Sequence, residues 1–267
     1  ASTMTDSITN EGHPMTMTPE QATWFSDIFN RLVANVDQVL LGKTFVIRLG
    51  FTALLSEGHL LLEDFPGTGK TSFARAMAQS VAGTTSRIQF TPDLLPGDIT
   101  GVSIYDQSKS AFEFHAGPIF ANIVLADEIN RASPKTQSAL LEVMEEAHVT
   151  VDGVTHPVGA PFMVIATQNP IEQAGTYRLP EAQLDRFIMK ASIGYPDHSS
   201  TLRILEGAGN KAHEIVIPPI VTADVVVEMG LERPERMSEG HAAGVGVAEH
   251  QPVLELGGKR GDELVQA

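Results

Sequence analysis

Leu60-Leu61-Leu62-Glu63-Asp64-Phe65-Pro66-Gly67-Thr68-Gly69-Lys70-Thr71-Ser72-Phe73 is the stretch that decides the fold. Three leucines before an acidic step read as a short buried strand, and Phe73, Ala74, Met77 and Val81 follow at helical spacing. Gly83 stands where it can end that helix. The run between them fits a phosphate-binding loop, because glycines let backbone N–H groups surround phosphate oxygens at a helix N-terminus. In that reading Lys70 reaches the β- and γ-phosphates and Thr71 coordinates Mg²⁺. The nucleotide-contacting set is Pro66, Gly67, Thr68, Gly69, Lys70, Thr71 and Ser72. One departure stands out: Asp64 replaces the first glycine of G-x-x-x-x-G-K-[ST]. Asp accepts unusual backbone angles better than most residues, so the loop still forms. A glycine-rich turn beside an exposed lysine is the bland alternative, and the flanking strand and helix disfavour it.

Outward from this loop, short apolar runs alternate with helical segments. Ile88-Gln89-Phe90, Ile123–Ala126 and Phe162–Thr167 are further strands. Ser133 and Pro134 read as N-cap and first residue of a helix carrying Leu140, Val143, Met144 and Ala147 on one face. Upstream, Trp24, Ile28, Leu32 and Val36 recur at four-residue steps, and Val46, Leu49 and Ala53 begin a second helix. Leu40-Leu41-Gly42-Lys43 reads as the loop between those two helices. The pattern predicts an α/β fold with a mainly parallel sheet covered on both faces. Two hairpins interrupt it: Ser103–Tyr105 with Phe112–Phe114, and Val149–Val151 with Val154–His156 through a type I′ turn at Asp152-Gly153. No period of 20–50 residues suggests a solenoid.

Ile123-Val124-Leu125-Ala126-Asp127-Glu128 ends a buried strand in two carboxylates. With Thr71, Asp127 supplies the metal shell, and Glu128 polarises the attacking water. Asn169, after the Phe162–Thr167 strand, is placed to address the water or the γ-phosphate, although Asn-Pro alone marks only a turn. Arg131 and Arg178 lie near these motifs, as phosphate or subunit-edge contacts or as structural ion-pair partners.

Composition narrows the classes. The 267 residues carry 18 Lys and Arg against 33 Asp and Glu, a formal charge of −15. Such a balance argues against a surface that coats nucleic acid. Absence of cysteine excludes disulfides and thiolate metal sites and fits a reducing compartment. The nine histidines show no zinc spacing and read as scattered polar residues. No apolar run reaches the roughly 18 residues of a membrane span. Residues 1–18 lack the basic and apolar regions of a secretory signal and read as a disordered leader. A cytoplasmic protein is the expectation.

Longer motifs carry a resemblance. Phe90-Thr91-Pro92-Asp93-Leu94-Leu95-Pro96, Ala126-Asp127-Glu128-Ile129-Asn130-Arg131-Ala132 and Gln137-Ser138-Ala139-Leu140-Leu141-Glu142-Val143-Met144-Glu145 are similar to segments of the MoxR family of AAA+ ATPases. So are Ala166–Glu172 and Leu179–Phe187, and the match covers roughly residues 20–205. The resemblance implies an AAA+ P-loop core, a five-stranded parallel sheet between helices, in the helix-2-insert branch. The Ser103–Phe114 hairpin matches that insert, and Val149–His156 the hairpin before sensor 1. Asn169 matches sensor 1, and Arg186 matches the arginine finger that acts on a neighbouring subunit's ATP. Leu41 and Gly42 lie in a segment resembling the one that packs on adenine. Members tolerate a non-glycine residue at the place of Asp64. They form rings, typically hexamers, and act as chaperone-like ATP hydrolases, many on clients with von Willebrand factor type A domains.

The organisation expected is a leader over 1–18, a core over 19–196, the start of a helical lid over 197–230 and an atypical, unstructured tail over 231–267. Thr222 is a candidate cap before Val225, Val226 and Met229. The resemblance implies a lid that supplies a further arginine within a motif like Gly-Ala-Ser-Pro-Arg; no Ser-Pro-Arg occurs in the tail, so against the family the lid reads as incomplete. A Mg-ATP-driven remodeller of a protein client is the leading reading. The alternative is a nucleotide-gated binding or assembly module with little turnover, and a nucleic-acid motor is disfavoured by the charge.

Overall fold

The computed structural model describes residues 18–64, 67–169, 175–195, 201 and 216–231. The leader through residue 17, Pro66, much of the expected lid and the tail from 232 onward lie outside the described residues. Helices α1 (Pro19–Asp37) and α2 (Thr44–Leu55) precede β1 (His59–Glu63), α3 (Lys70–Ser80) and β2 (Thr85–Gln89). A short α4 (Pro96–Thr100) leads into the hairpin β3 (Gly101–Asp106) and β4 (Ala111–Ala116). Then come β5 (Ile123–Asp127), α5 (Pro134–Glu146), the hairpin β6 (His148–Val151) and β7 (Val154–Pro157), and β8 (Met163–Gln168). The described chain closes with α6 (Glu181–Leu184), β9 (Phe187–Ala191) and α7 (Ala223–Leu231).

Five strands form one parallel sheet in the order β2-β5-β8-β1-β9. Alternation along each strand sorts its side chains into two cores. Leu60, Leu62, Ile123, Leu125, Met163 and Ile165 face α1, α2 and α3. Leu61, Val124, Ala126, Val164 and Ala166 face Leu140, Leu141, Val143 and Met144 of α5. Ile217 and, from α7, Val226 and Met229 join the first core.

Strand β9 has no counterpart among the four strands read from residue pattern. It lies at the sheet edge, where Ile188 is 49% exposed and only Phe187 is buried, and its apolar run Phe187-Ile188-Met189 is cut short by Lys190. Two finer expectations change. Trp24 is 37% exposed and is not part of the buried stripe. Four-residue steps advance the helix by about 40° each, so Trp24 has rotated out while Phe25 packs against the core. Nor is Gly83 the left-handed residue that ends α3; Ala82 is, at φ 49°. Gly83 donates its N–H to the Ala78 carbonyl one position later, and a Cβ on it would meet Asn122 Cβ at 3.2 Å.

Both hairpins form, with Ser103 opposite Phe114 in one and Val151 opposite Val154 in the other. Asp152 and Gly153 have φ of 51° and 78°, as a type I′ turn requires. Ser133 caps α5 with Pro134 as its first residue. The strands β1, β5 and β8 all end on the same side of the parallel sheet. Asp64, Asp127-Glu128 and Asn169 follow at that edge, where open α/β sheets bind ligands.

Candidate nucleotide site

Gly67 and Gly69 have φ of 83° and 89°, backbone that a side chain would strain. Gly69 is the N-cap of α3 and supplies no side-chain hydrogen bond to the helix end. Lys70, Thr71 and Ser72 form the first turn, Thr71 and Ser72 exposed, so the positive end of the helix dipole faces outward. Lys70 Nζ lies 3.4 Å from the Asp64 carbonyl and 3.9 Å from Asp127 Oδ1.

Asp127 is buried at the end of β5. Its Oδ1 accepts a 2.6 Å hydrogen bond from Thr167 Oγ1, and its Oδ2 one of 2.6 Å from Arg87 Nη2. Burial pushes its carboxyl up, but the Thr167 and Arg87 bonds and the Lys70 charge together outweigh that and hold it below the ordinary value. An ionised carboxylate with both oxygens occupied suits a cation shell reached through water.

Glu128 turns the chain with φ of 58°, and its N–H donates to Thr167 Oγ1 at 2.9 Å. Its Oε2 accepts from Gln89 Nε2 at 3.0 Å and from Arg131 Nη1 at 2.9 Å. Arg87 Nη2 also donates to Gln89 Oε1 at 2.8 Å, so one string of bonds runs from Asp127 through Arg87 and Gln89 to Glu128. Arg131 is thus an ion-pair partner of Glu128.

Asn169 follows Gln168, whose carbonyl accepts the Asp64 N–H at 3.3 Å, so the end of β8 adjoins the start of the loop. Leu40 is buried, its Cδ1 3.1 Å from where a Cβ on Gly69 would stand, and Gly42 turns beside it with φ of 74°. Leu41 lies between them, half-buried. Arg186 makes its hydrogen bonds to Glu145 Oε2 at the end of α5, at 3.0 and 2.5 Å, and none to the Lys70–Asp127 cluster.

Asp64 differs from its expected role. It does not adopt a positive φ; its buried carboxylate instead accepts from Ser192 Oγ, Ile193 N and Gly194 N at 2.8, 2.7 and 2.9 Å. The residue in the glycine's place is therefore a tertiary anchor. Arg87, Gln89 and Thr167 are the site residues that pattern reading passed over. The available signal was Arg87 and Gln89 projecting alike from a strand, but it becomes readable only once β2 is known to lie beside β5. The histidines are also not all polar surface groups: His59 is buried between the Met144 carbonyl and the Val164 N–H, each at 3.0 Å.

The model of the ATPase family associated with various cellular activities (AAA) matches residues 59–189. The chain is 53% identical over 198 residues to the uncharacterised YeaC of Bacillus subtilis, covering 74% of this chain and 62% of that protein. It is 50% identical over 179 residues to chaperone MoxR1 of Mycobacterium tuberculosis, covering 67% of this chain and 48% of that one. A crystal structure of a provisionally assigned ATPase from Cytophaga hutchinsonii superposes with a TM-score of 0.73 at 42% identity, covering 79% of this chain and 64% of that one. The chain thus spans from about half to about three-fifths of the length of these curated relatives. Sheet order, loop, acidic strand end and relatives agree: the chain belongs to the MoxR family of AAA+ ATPases.

Proposed function

We propose that this chain binds Mg·ATP at residues 67–72 and hydrolyses it to drive the remodelling of a protein client. The observation that carries the reading is the approach of Lys70 Nζ, at the start of α3, to within 3.9 Å of Asp127 at the carboxyl edge of a parallel sheet. A half-buried lysine beside an ionised aspartate, next to an open helix N-terminus, is the chemistry a Mg-bound polyphosphate needs.

In this reading Lys70 turns from the Asp64 carbonyl to the β- and γ-phosphates. The N–H groups from Gly67 to Ser72 cradle the phosphate oxygens, with Thr68 shaping the loop. Thr71 and Asp127 hold the Mg²⁺, which when bound offsets phosphate charge. Glu128 takes the proton of the attacking water once Gln89 or Arg131 lets its Oε2 go, and Asn169 orients that water. Leu41 and Gly42 lie along the base. Arg186 leaves Glu145 to reach a neighbouring subunit's nucleotide, which requires a ring, with a hexamer as the expected size. A protein client fits the acidic charge of −15 and the chaperone name of the mycobacterial relative better than nucleic acid does. A client with a von Willebrand factor type A domain and a cytoplasmic setting belong to the same proposal.

The test is nucleotide binding by Lys70→Ala and Glu128→Gln. Lys70→Ala loses Mg·ATP affinity, whereas Glu128→Gln keeps it, because Lys70 serves the ground-state phosphates and Glu128 the water. Equal affinity in Lys70→Ala and wild type would refute the assignment.

A further inference from the structure

The Asp64 carboxylate takes no part in the chemistry above, yet it is 3% exposed and fully engaged. Its three donors, Ser192 Oγ, Ile193 N and Gly194 N, all lie in the stretch directly after β9. The same stretch is gripped a second time, since Lys43 Nζ donates to the Tyr195 carbonyl at 2.6 Å. These two grips come from the two segments assigned to the nucleotide, the phosphate loop and the base-contacting loop. Asp64 opens the phosphate loop, and its own carbonyl accepts from Lys70 at 3.4 Å. Lys43 ends the segment assigned to the base, whose Leu40 packs close to Gly69.

We propose that Asp64 and Lys43 form a two-point brace that transmits nucleotide occupancy of the loop to Ser192–Tyr195, with Asp64 as its positioning residue. The proposal rests on the nucleotide reading of the loop. A carboxylate offers two acceptor oxygens to three donors; an amide offers one and would set an N–H₂ against a backbone N–H. A glycine, as in the strict loop motif, offers nothing. When Lys70 turns to phosphate, the chain at Asp64 becomes part of an ordered, ligand-bound loop, so its carboxylate is held more firmly against Ile193 and Gly194. By reciprocity, a firmly held exit from β9 favours the nucleotide-bound loop.

The experiment is amide hydrogen exchange on the whole chain, with and without saturating Mg·ADP, in wild type, Asp64→Asn, Asp64→Gly and Ser192→Ala. In wild type Mg·ADP slows exchange both in residues 67–72 and at Ile193 and Gly194. Without nucleotide, both Asp64 variants exchange at Ile193 and Gly194 roughly tenfold faster or more, as loss of hydrogen bonds to a charged acceptor implies. With Mg·ADP they are protected in residues 67–72 but gain no protection at Ile193 and Gly194. Ser192→Ala, which removes a single donor, shows the same uncoupling in weaker form and serves if the Asp64 variants do not fold. Nucleotide-dependent protection of Ile193 and Gly194 that survives in the variants would overturn the brace alone. Absence of protection over residues 67–72 in wild type would overturn the nucleotide reading and the brace with it.

Discussion

Thr167 shows how much of the site depends on one hydroxyl. It is fully buried, donates to Asp127 and accepts from the Glu128 N–H, so it positions both carboxylates at once. Thr167→Val keeps the shape but unpairs the part-buried Glu128 N–H and removes a donor from the buried Asp127 carboxylate, which should cost about 1–3 kcal/mol. Urea unfolding is expected to shift to a lower midpoint with unchanged slope, and turnover should fall more than nucleotide affinity. An unaltered midpoint would contradict this role. His59 makes a second residue-scale claim. Burial lowers its pKa from 6.5, the Met144 carbonyl opposing that only in part. The neutral ring is thus the native form, and the stability it brings is fully present above the ordinary pKa of 6.5. That stability is lost as pH falls from there through the lowered folded value. His59→Gln does not titrate there, so wild type should lose stability more steeply than the variant on acidification below 6.5. Parallel pH profiles would rule this out.

Elements were legible where periodicity was pure and obscure where it was mixed. Strands β1, β5 and β8 are buried on both faces and read directly as apolar runs. The edge strand β9 mixes Ile188 and Lys190 into its exposed positions and escaped a residue-by-residue reading. Loop and acidic strand end were legible because their chemistry is local in sequence. Asp64, Arg87 and Thr167 were not, because their partners lie 128, 40 and 40 residues away, across strand pairings that pattern alone does not assign. The turn of the β6–β7 hairpin was legible from Asp152-Gly153. Gly153→Ala meets no neighbour within 4 Å, yet its φ of 78° strains any side chain. The substitution should therefore destabilise by about 1–2 kcal/mol while leaving ATP affinity untouched. A thermal melt with parallel nucleotide titration checks both halves; a large loss of affinity would place the hairpin in the pocket.

At the scale of the whole molecule, the proposal divides each active site between two subunits. Arg186 is paired with Glu145 in its own chain, so its service to a neighbour requires that pair to open. Arg186→Ala should reduce turnover by on the order of 10³-fold or more, as loss of an arginine finger does. Mixing Arg186→Ala with Glu128→Gln subunits should restore part of the activity, since some interfaces then combine an intact arginine with an intact base. Failure to rescue at any ratio, with mixed assemblies verified by sizing, would refute the shared site. The most direct test of the account is phosphate release at saturating Mg·ATP by wild type and Glu128→Gln. Continuous release by wild type, reduced on the order of 10²-fold or more in a variant that still binds ATP, is the predicted result. Equal release by both would contradict the assignment of hydrolysis to the carboxylate at the end of β5.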